Sequence, residues 1–281
     1  MGTNEFKSFF TKGDRKVNTW CRWPGRLDTY GCGCQHNCSY CYARSLLAFR
    51  GLWNPQAPAV ARVPKIIHEL DKEVKRGDVV RIGGMTDCFM PLEEKTSATY
   101  MAIQMLNKRG IHSLIVTKSD LVASDRYLAI LDKDLTHIQI TITSTDDEIS
   151  KRIEPGAPLP ARRIAAVERL QAEGYDVQVR LSPFIPEYVD LDRINAIKCD
   201  KILIEFLKVS PWIKKWLDID YSPYILSRGG YLNLPLERKI ELVDKITGFK
   251  ERSVGEFIEE HHAYFREHVN ANPDDCCNLR I

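Results

Sequence analysis

Short runs rich in β-branched residues recur through the middle of the chain, and helix-like segments separate them. The runs are DVVRIGG (78–84), IHSLIVTK (111–118), THIQITIT (136–143), YDVQVRLSP (175–183) and CDKILIEFL (199–207). Segment 91–110 opens with proline and acids and closes on glycine, and segment 160–174 has apolar residues at helical spacing before Gly174. Strands that alternate with helices at this interval predict βαβ units, and therefore a parallel sheet with right-handed crossovers.

A further strand leading into Tyr30 brings the expected number to six, which is too few for an eight-stranded barrel. The predicted fold class is therefore α/β, a partial (β/α)6 TIM-like barrel with a mostly helical C-terminal extension. We expect an N-terminal extension at 1–27, the partial barrel at 28–207 and a helical cap packed on it at 208–281. Loops at the C-terminal ends of the strands, the mouth of such a barrel, are expected to carry the chemistry.

Composition limits the functional classes. The 40 basic and 38 acidic residues give a net charge of +2, so any nucleic-acid surface has to be a local patch. The N-terminal sequence lacks the apolar run of a secretory signal, and no apolar stretch is long enough for a membrane span, so we expect a cytoplasmic protein with no membrane partner. Nine cysteines in a reducing compartment favour metal binding or catalysis over disulfides.

Three of these cysteines form the compact motif Cys34-x3-Cys38-x2-Cys41. Zinc ribbons need two separated pairs of ligands, and the sequence offers no second CxxC. A short loop of this kind can instead bring three thiolates to three corners of an iron–sulfur cube. The fourth iron would then lack a local protein ligand, which implies that a substrate or cofactor binds the metal.

The motif, with Tyr42 directly after it, resembles the signature of the radical S-adenosylmethionine superfamily. In that family three cysteines hold a [4Fe–4S] cluster, and the amine and carboxylate of S-adenosylmethionine chelate the open iron. Residues from about 28 to 210 further resemble the spore-photoproduct-lyase-like branch, which is related to DNA repair photolyases. The segments that carry this resemblance are GGMTDCFMPLEEK (83–95), IVTKSDLVASD (115–125) and ITITSTDDEISKRIEPGAPLPARRIAAVERLQAEGYDVQVRLSPFIP (140–186).

The resemblance implies an enzyme that forms a 5′-deoxyadenosyl radical and abstracts a hydrogen atom from its substrate, the difficult chemistry belonging to the cofactor. Lys118 matches a lysine that pairs with the cofactor carboxylate, Thr141 matches a position of similar role, and Arg180 lies at the mouth-facing end of a strand. The expected cofactor-binding residues are Tyr40, Gly83, Gly84, Thr86, Asp87, Lys118, Thr141 and Arg180, and the expected metal ligands are Cys34, Cys38 and Cys41.

Two residues are expected to take part in catalysis by the same resemblance. Tyr42 matches a tyrosine implicated in radical relay, with simple packing over the cofactor as the alternative. Met85 stands where the dimer-splitting lyases have a hydrogen-donating cysteine. Cys88 either takes over that role or is a small buried apolar residue. Dimer splitting is thereby in question, whereas hydrogen abstraction is still predicted.

We expect the substrate to be a pyrimidine base in DNA or a nucleotide, in repair or base modification, with an electron donor such as flavodoxin or ferredoxin. Seven basic and aromatic residues could form a nucleic-acid surface that binds by charge and stacking. The alternative is that the same residues are ordinary surface and core residues. The alternative functions are a radical enzyme acting on a small metabolite or peptide and a non-catalytic metal-binding interaction protein. The surface residues are Arg22, Trp23, Arg26, Trp212, Lys214, Lys215 and Trp216.

The remaining thiols raise a separate hypothesis. Cys276 and Cys277 could hold an auxiliary cluster together with Cys21 and Cys32, although adjacent cysteines rarely both ligate one metal.

The cluster assignment predicts a colour. Anaerobically reconstituted protein should be brown, with broad absorption near ~400 nm typical of cubane clusters, and Cys34→Ala should bleach it. A colourless protein loaded with zinc would contradict the assignment.

Overall fold

The computed structural model describes residues 10–12 and 25–281. Its strands are β1 (Phe10–Lys12), β2 (Gly25–Leu27), β3 (Tyr30–Gly31), β4 (Ala59–Val60), β5 (Val79–Ile82), β6 (His112–Thr117), β7 (Thr136–Thr141), β8 (Asp176–Phe184), β9 (Lys201–Phe206), β10 (Leu226–Arg228), β11 (Tyr231–Asn233) and β12 (Glu251–Val254).

The α-helices of the same part of the chain are α1 (Tyr42–Phe49), α2 (Val63–Glu73), α3 (Leu92–Thr96), α4 (Ala98–Arg109), α5 (Asp125–Leu128), α6 (Asp147–Ile153), α7 (Pro160–Ala172), α8 (Leu191–Asn195), α9 (Ile213–Trp216), α10 (Leu236–Asp244) and α11 (Glu259–His268). None of the described helices is both long enough and apolar enough to cross a membrane.

One sheet of eight strands organises the molecule, in the order β1-β2-β5-β6-β7-β8-β9-β12. From β2 to β12 every neighbouring pair is parallel, and only β1 runs antiparallel at the edge. All five runs that the sequence singles out form strands of this sheet. The α/β class and the partial-barrel architecture are confirmed.

The two faces of the sheet differ in chemistry because side chains alternate along a strand. Ile138 and Ile140 of β7 belong to the main apolar core, which also contains Leu106 of α4 and Val167 of α7. The intervening side chain of Gln139 instead donates to Gln178 of β8 at 3.0 Å. The helices therefore cover the apolar face, and polar groups line part of the barrel interior, beside a smaller apolar cluster that includes Val79 and Leu114.

The sheet extends beyond the predicted barrel at both ends of the chain. The first parallel strand is Gly25–Leu27 rather than a strand running into Tyr30, which pairs with Val60 in a separate small sheet. In the C-terminal region β12 pairs with β9, and β10 and β11 form a hairpin, so this region is less helical than expected. Pairing with β12 covers the backbone edge that β9 would otherwise expose. The division into three regions stays a prediction.

The segment 91–110, expected as one helix, is two helices that meet at Ser97. Ser97 has a left-handed backbone with φ of 58°. The buried carboxylate of Glu93 accepts the N–H groups of Thr99 and Tyr100, each at 2.9 Å. The break thus lets Glu93 satisfy the free donors at the start of α4.

The C-terminal tail closes the N-terminal end of the barrel, opposite the mouth. Lys201 Nζ, at the start of β9, donates to the Asn278 carbonyl at 2.7 Å and to Asp176 Oδ1 at 2.8 Å. Asp176, at the start of β8, also accepts the Arg280 N–H at 3.2 Å. One buried carboxylate therefore joins two strands to the tail.

Asp176 should make stability depend on pH in acid. Burial opposes its ionisation, but hydrogen bonds from His137 and Lys201 overcome this and lower its pKa from 3.8 to about 2. A carboxyl with a lowered folded pKa stabilises the fold above its unfolded pKa, so roughly 2 kcal/mol should be lost as the pH falls from about 4 to about 2. Urea unfolding of the wild type and Asp176→Asn should show a difference in stability that shrinks across this window. A difference that is constant with pH would contradict the assignment.

Candidate active site

The segment 34–41, called here the cluster loop, holds the three predicted ligands in two tight turns. The Asn37 N–H donates to the Cys34 carbonyl at 3.1 Å, and the Cys41 N–H donates to the Cys38 carbonyl at 3.3 Å. Cys34 and Cys38 are buried, and Cys41 is half-buried at the start of α1. Burial raises the pKa of Cys34 to about 12, and Asp87 adds to this effect. Such thiols become thiolates when a metal ion replaces the proton.

Two polar groups of the cluster loop are buried without a hydrogen-bond partner among the described residues. They are Nε2 of His36 and Oγ of Ser39. Buried polar groups are normally satisfied, so both indicate a ligand with hydrogen-bonding atoms in this loop. The sulfur ligand set and these two groups together fit a [4Fe–4S] cluster.

The cluster loop is fixed against the segment that follows α6. The Ser39 N–H donates to the Ile153 carbonyl at 2.8 Å, and the Gly156 N–H donates to the His36 carbonyl at 3.1 Å. A Cβ on Gly156 would lie 1.9 Å from the Gln35 carbonyl oxygen, so only glycine permits this approach.

Glu154 lies at the centre of this contact and is fully buried. It accepts a hydrogen bond from the Tyr40 hydroxyl, forms an ion pair with Arg163 at 2.5 Å and lies 4.0 Å from Lys118 Nζ. Burial opposes the ionisation of Glu154, but the charges of Arg163 and Lys118 hold its pKa below the usual value. Two predicted cofactor residues, Tyr40 and Lys118, are therefore joined through a carboxylate.

The strand-end loop 83–86 is organised by Asp28, a buried residue that follows β2. Asp28 Oδ1 accepts the N–H groups of Gly84, Met85 and Thr86 at 2.8, 2.8 and 3.1 Å. Gly83 has φ of +86°, and a Cβ there would lie 2.7 Å from the Val116 carbonyl oxygen. Glycine at 83 is thus required by conformation and by packing.

Asp87 bonds to the protein on both oxygens. Oδ1 accepts from the Thr117 hydroxyl at 2.7 Å, Oδ2 accepts the Lys118 N–H at 2.7 Å, and His36 Nδ1 lies 3.2 Å away. Burial opposes its ionisation, but His36 and these hydrogen bonds lower its pKa. The contacts make Asp87 a connection between the cluster loop and β6.

Tyr42 and Cys88 lie in different surroundings. Tyr42 is 62% exposed, and its hydroxyl donates to the Gly84 carbonyl at 2.6 Å, so it stands at the mouth beside the strand-end loop. Cys88 is buried in the main core, where its Sγ accepts the Thr29 N–H at 3.4 Å and contacts the Leu27 carbonyl at 3.8 Å. Its position favours the small buried residue over the hydrogen donor.

The other predicted cofactor residues occupy the interior surface. Thr86 Oγ1 donates to the Tyr30 carbonyl at 2.7 Å, and the Thr141 carbonyl accepts from Arg163 at 3.2 Å. Arg180 donates to Gln139 and Glu205. Thr141 and Arg180 are thus near the mouth but outside the group formed by Tyr40, Lys118 and Glu154.

Sequence reasoning missed Asp28, His36, Glu154 and Arg163. His36 lies between Cys34 and Cys38, so its place in the motif could have identified it as a residue of the site. Asp28 and Glu154 contact residues far away in sequence, and Arg163 matters only through its ion pair with Glu154, so no local pattern marks them.

A parallel α/β barrel with a three-cysteine loop at its mouth defines a class of iron–sulfur enzymes. The chain matches the Radical SAM superfamily over residues 29–199, and it belongs to that superfamily. Members of this superfamily bind a [4Fe–4S] cluster and S-adenosylmethionine, which agrees with the three-cysteine motif of this chain.

Two relatives found by sequence similarity are described as uncharacterized proteins. A protein of Methanocaldococcus jannaschii is 31% identical over 166 residues, which are 58% of this chain and 61% of the relative. A protein of Mycobacterium tuberculosis is 27% identical over 167 residues, which are 56% of this chain and 49% of the relative. The match spans about half to three fifths of the length of these relatives.

Solved structures with the same fold include a spore photoproduct lyase variant with bound S-adenosylmethionine and a dinucleoside spore photoproduct. It has a TM-score of 0.60 and 17% identity, covering 85% of this chain and 78% of the lyase. Streptococcus suis SuiB bound to its precursor peptide SuiA has a TM-score of 0.54 and 15% identity, covering 89% and 53%. The predicted resemblance to the lyase branch is confirmed at the level of the fold.

The buried carboxylate gives a direct test of how the cluster loop is held. Glu154→Gln keeps an acceptor for Tyr40 but leaves buried Arg163 without its counter-ion, so we expect a loss of about 3–5 kcal/mol in the free energy of unfolding. Urea unfolding measures this, and the iron retained after reconstitution should fall as well. Glu148→Gln is the matched control, because Glu148 on α6 is 82% exposed and its pair with Lys151 contributes little. Equal effects of the two substitutions would contradict the role given to Glu154.

Proposed function

We propose that this enzyme abstracts a hydrogen atom from a pyrimidine base in single-stranded or locally opened DNA, in repair or base modification. S-adenosylmethionine bound at the cluster would supply a 5′-deoxyadenosyl radical on one-electron reduction. The chain then has to hold the cluster, bind the cofactor and position a base at the mouth. The proposal rests chiefly on an exposed aromatic and basic surface beside α1.

The residues proposed to hold the cluster are Cys34, Cys38 and Cys41. Lys118 is proposed to face the cofactor carboxylate, since it is a partly exposed cation beside Tyr40 and Glu154. The backbone of Gly83 and Gly84 is proposed to lie against the cofactor, with Tyr42 closing over it from α1. The other proposed cofactor residues are Tyr40, Thr86, Asp87, Thr141 and Arg180.

The surface beside α1, called the tryptophan surface, consists of Arg44, Trp212, Lys214, Lys215 and Trp216. The two indole rings stack with centroids 6.0 Å apart and planes 29° from parallel, and Trp212 is 53% exposed. Exposed aromatic rings of this kind can stack with unpaired bases. Of the residues predicted for this role, Arg22 and Trp23 lie outside the described residues.

The cations of this surface connect it to the site. Arg44 lies 5.5 Å from the Trp216 ring centroid, and Lys215 lies 5.0 Å from that of Trp212. Arg44 belongs to α1, the helix that begins directly after Cys41 and contains Tyr42. A strand bound across the tryptophan surface would therefore pass close to the cluster loop, and its phosphates would meet positive charge although the whole chain is nearly neutral.

The proposal also includes the cellular compartment and the source of electrons. Nine cysteines agree with a reducing cytoplasm, and reduction of the cluster there would require an electron donor such as flavodoxin or ferredoxin.

Binding of a fluorescent single-stranded oligonucleotide tests the tryptophan surface. Because stacking contributes about 1–3 kcal/mol per base, Trp212→Ala should weaken binding by roughly 5- to 150-fold. Lys215→Ala should reduce the slope of log affinity against log salt by about 0.7. Fluorescence anisotropy at several salt concentrations measures both effects.

Lys133→Ala is the control. Lys133 also lies over an aromatic ring, 5.1 Å from the centroid of Tyr175, but it precedes β7 at the end of the barrel opposite the mouth.

Deuterium in the pyrimidines of the bound strand should then move into 5′-deoxyadenosine under reducing, anaerobic conditions. Binding unaffected by Trp212→Ala, or deuterium transfer only from a peptide or small metabolite, would overturn the proposal.

A further inference from the structure

The C-terminal tail places two thiols inside the barrel, away from the cluster loop. Cys277 is buried against Val79 and Leu114, which lie on the early parts of β5 and β6. Val79, Leu114 and Cys277 form a small apolar cluster that is separate from the main core under the helices. Cys276 is half-buried beside them, so the pair lies on the interior face near the N-terminal end of the barrel.

A carboxylate completes a group of potential metal ligands. One ligand atom each from Asp275, Cys276 and Cys277 lies within 4.8 Å of the others, and in the described part of the chain no other three such residues meet this condition. Cys32, which the auxiliary-cluster hypothesis included, is not in the group, and Cys21 lies outside the described residues. Adjacent cysteines rarely share a metal, but here both sulfur atoms and an Asp275 oxygen already lie within 4.8 Å of one another, so the distances favour a single shared ion over a second cubane.

The Asp275 carboxylate is already oriented. Its Oδ1 accepts the Cys277 N–H at 3.0 Å, and its Oδ2 accepts the Leu279 N–H at 3.1 Å. Carboxylates that bind metals are commonly held by such hydrogen bonds, and each oxygen keeps a further lone pair. Asp275 can therefore bind an ion without losing the turn that it stabilises.

The charges of the surroundings also fit a bound cation. Two thiolates and a carboxylate carry three negative charges, which a divalent ion offsets in part. The guanidinium groups of Arg180 and Arg81 both act electrostatically on Cys277 and favour the remaining negative charge. Thiolate ligands select zinc over magnesium or calcium.

We propose that Asp275, Cys276 and Cys277 bind one zinc ion that fixes the C-terminal tail in the barrel. Three protein ligands leave one position of a tetrahedron for water, and half-buried Cys276 gives the ion a route of entry. The tail already contacts Asp176, Lys201 and Glu251 through hydrogen bonds of 2.5 to 3.2 Å. The ion would add a bond that exists only in the folded chain, and so stabilise this end of the barrel.

Metal analysis of the reconstituted protein tests the site. After equilibration with buffered zinc and gel filtration, the wild type should retain one zinc per chain beside the iron of its cluster. The double variant Cys276→Ser, Cys277→Ser should lose that zinc and keep its iron. Cys199→Ser is the control, since Cys199 is buried two residues before β9 with Sγ against the Val177 carbonyl. This variant should keep both metals.

Zinc absorption spectroscopy on the wild type needs no variant, and it should show two sulfur neighbours near ~2.3 Å. Zinc content equal in the wild type and the double variant, a wild type without zinc, or additional iron in place of zinc would each overturn the proposal. None of these measurements uses nucleic acid, so they stand apart from the test of the proposed function.

Discussion

The buried Glu154 carboxylate is the interaction on which the arrangement of the site depends. It joins Tyr40 of the cluster loop, Lys118 at the end of β6 and Arg163 of α7. Removing one member of a buried ionic group leaves a charge without compensation. The attachment of the three segments to one another therefore depends on every member of the group. The backbone hydrogen bonds of Ser39 and Gly156 then give the cluster loop a single position against α6.

A second carboxylate holds the opposite side of the site. Asp28 accepts three successive N–H groups of the strand-end loop, and Tyr42 donates to the carbonyl of Gly84 in the same loop. The helix that begins at the cluster loop is thereby tied to the loop proposed to meet the cofactor. A site supported on both sides by buried hydrogen bonds is organised before any ligand binds.

The sequence predicts those parts of the structure that leave a local pattern. The cysteine spacing lies within eight residues, and β5 to β9 each appear as a run of β-branched residues. Glu154 and Tyr40 are 114 residues apart, and Asp28 and Gly84 are 56 apart, so neither contact has a periodicity to detect. The four residues of β12, ERSV, are too short and too polar to indicate a strand before the edge of β9 is known.

The two ends of the barrel are connected through its polar interior rather than through the helices. Arg180 donates to Gln139 and Glu205 near the mouth, and its charge also acts on Cys277 of the tail. Gln139 in turn contacts Gln178, which lies on β8 between Arg180 and Asp176. The tail extends this row of polar contacts, since the Asn278 carbonyl accepts from Lys201 and Asp176 accepts the Arg280 N–H, so displacing the tail would leave a buried donor and a buried acceptor without those partners. The tail therefore completes the polar contacts of the barrel interior at the end opposite the cluster loop.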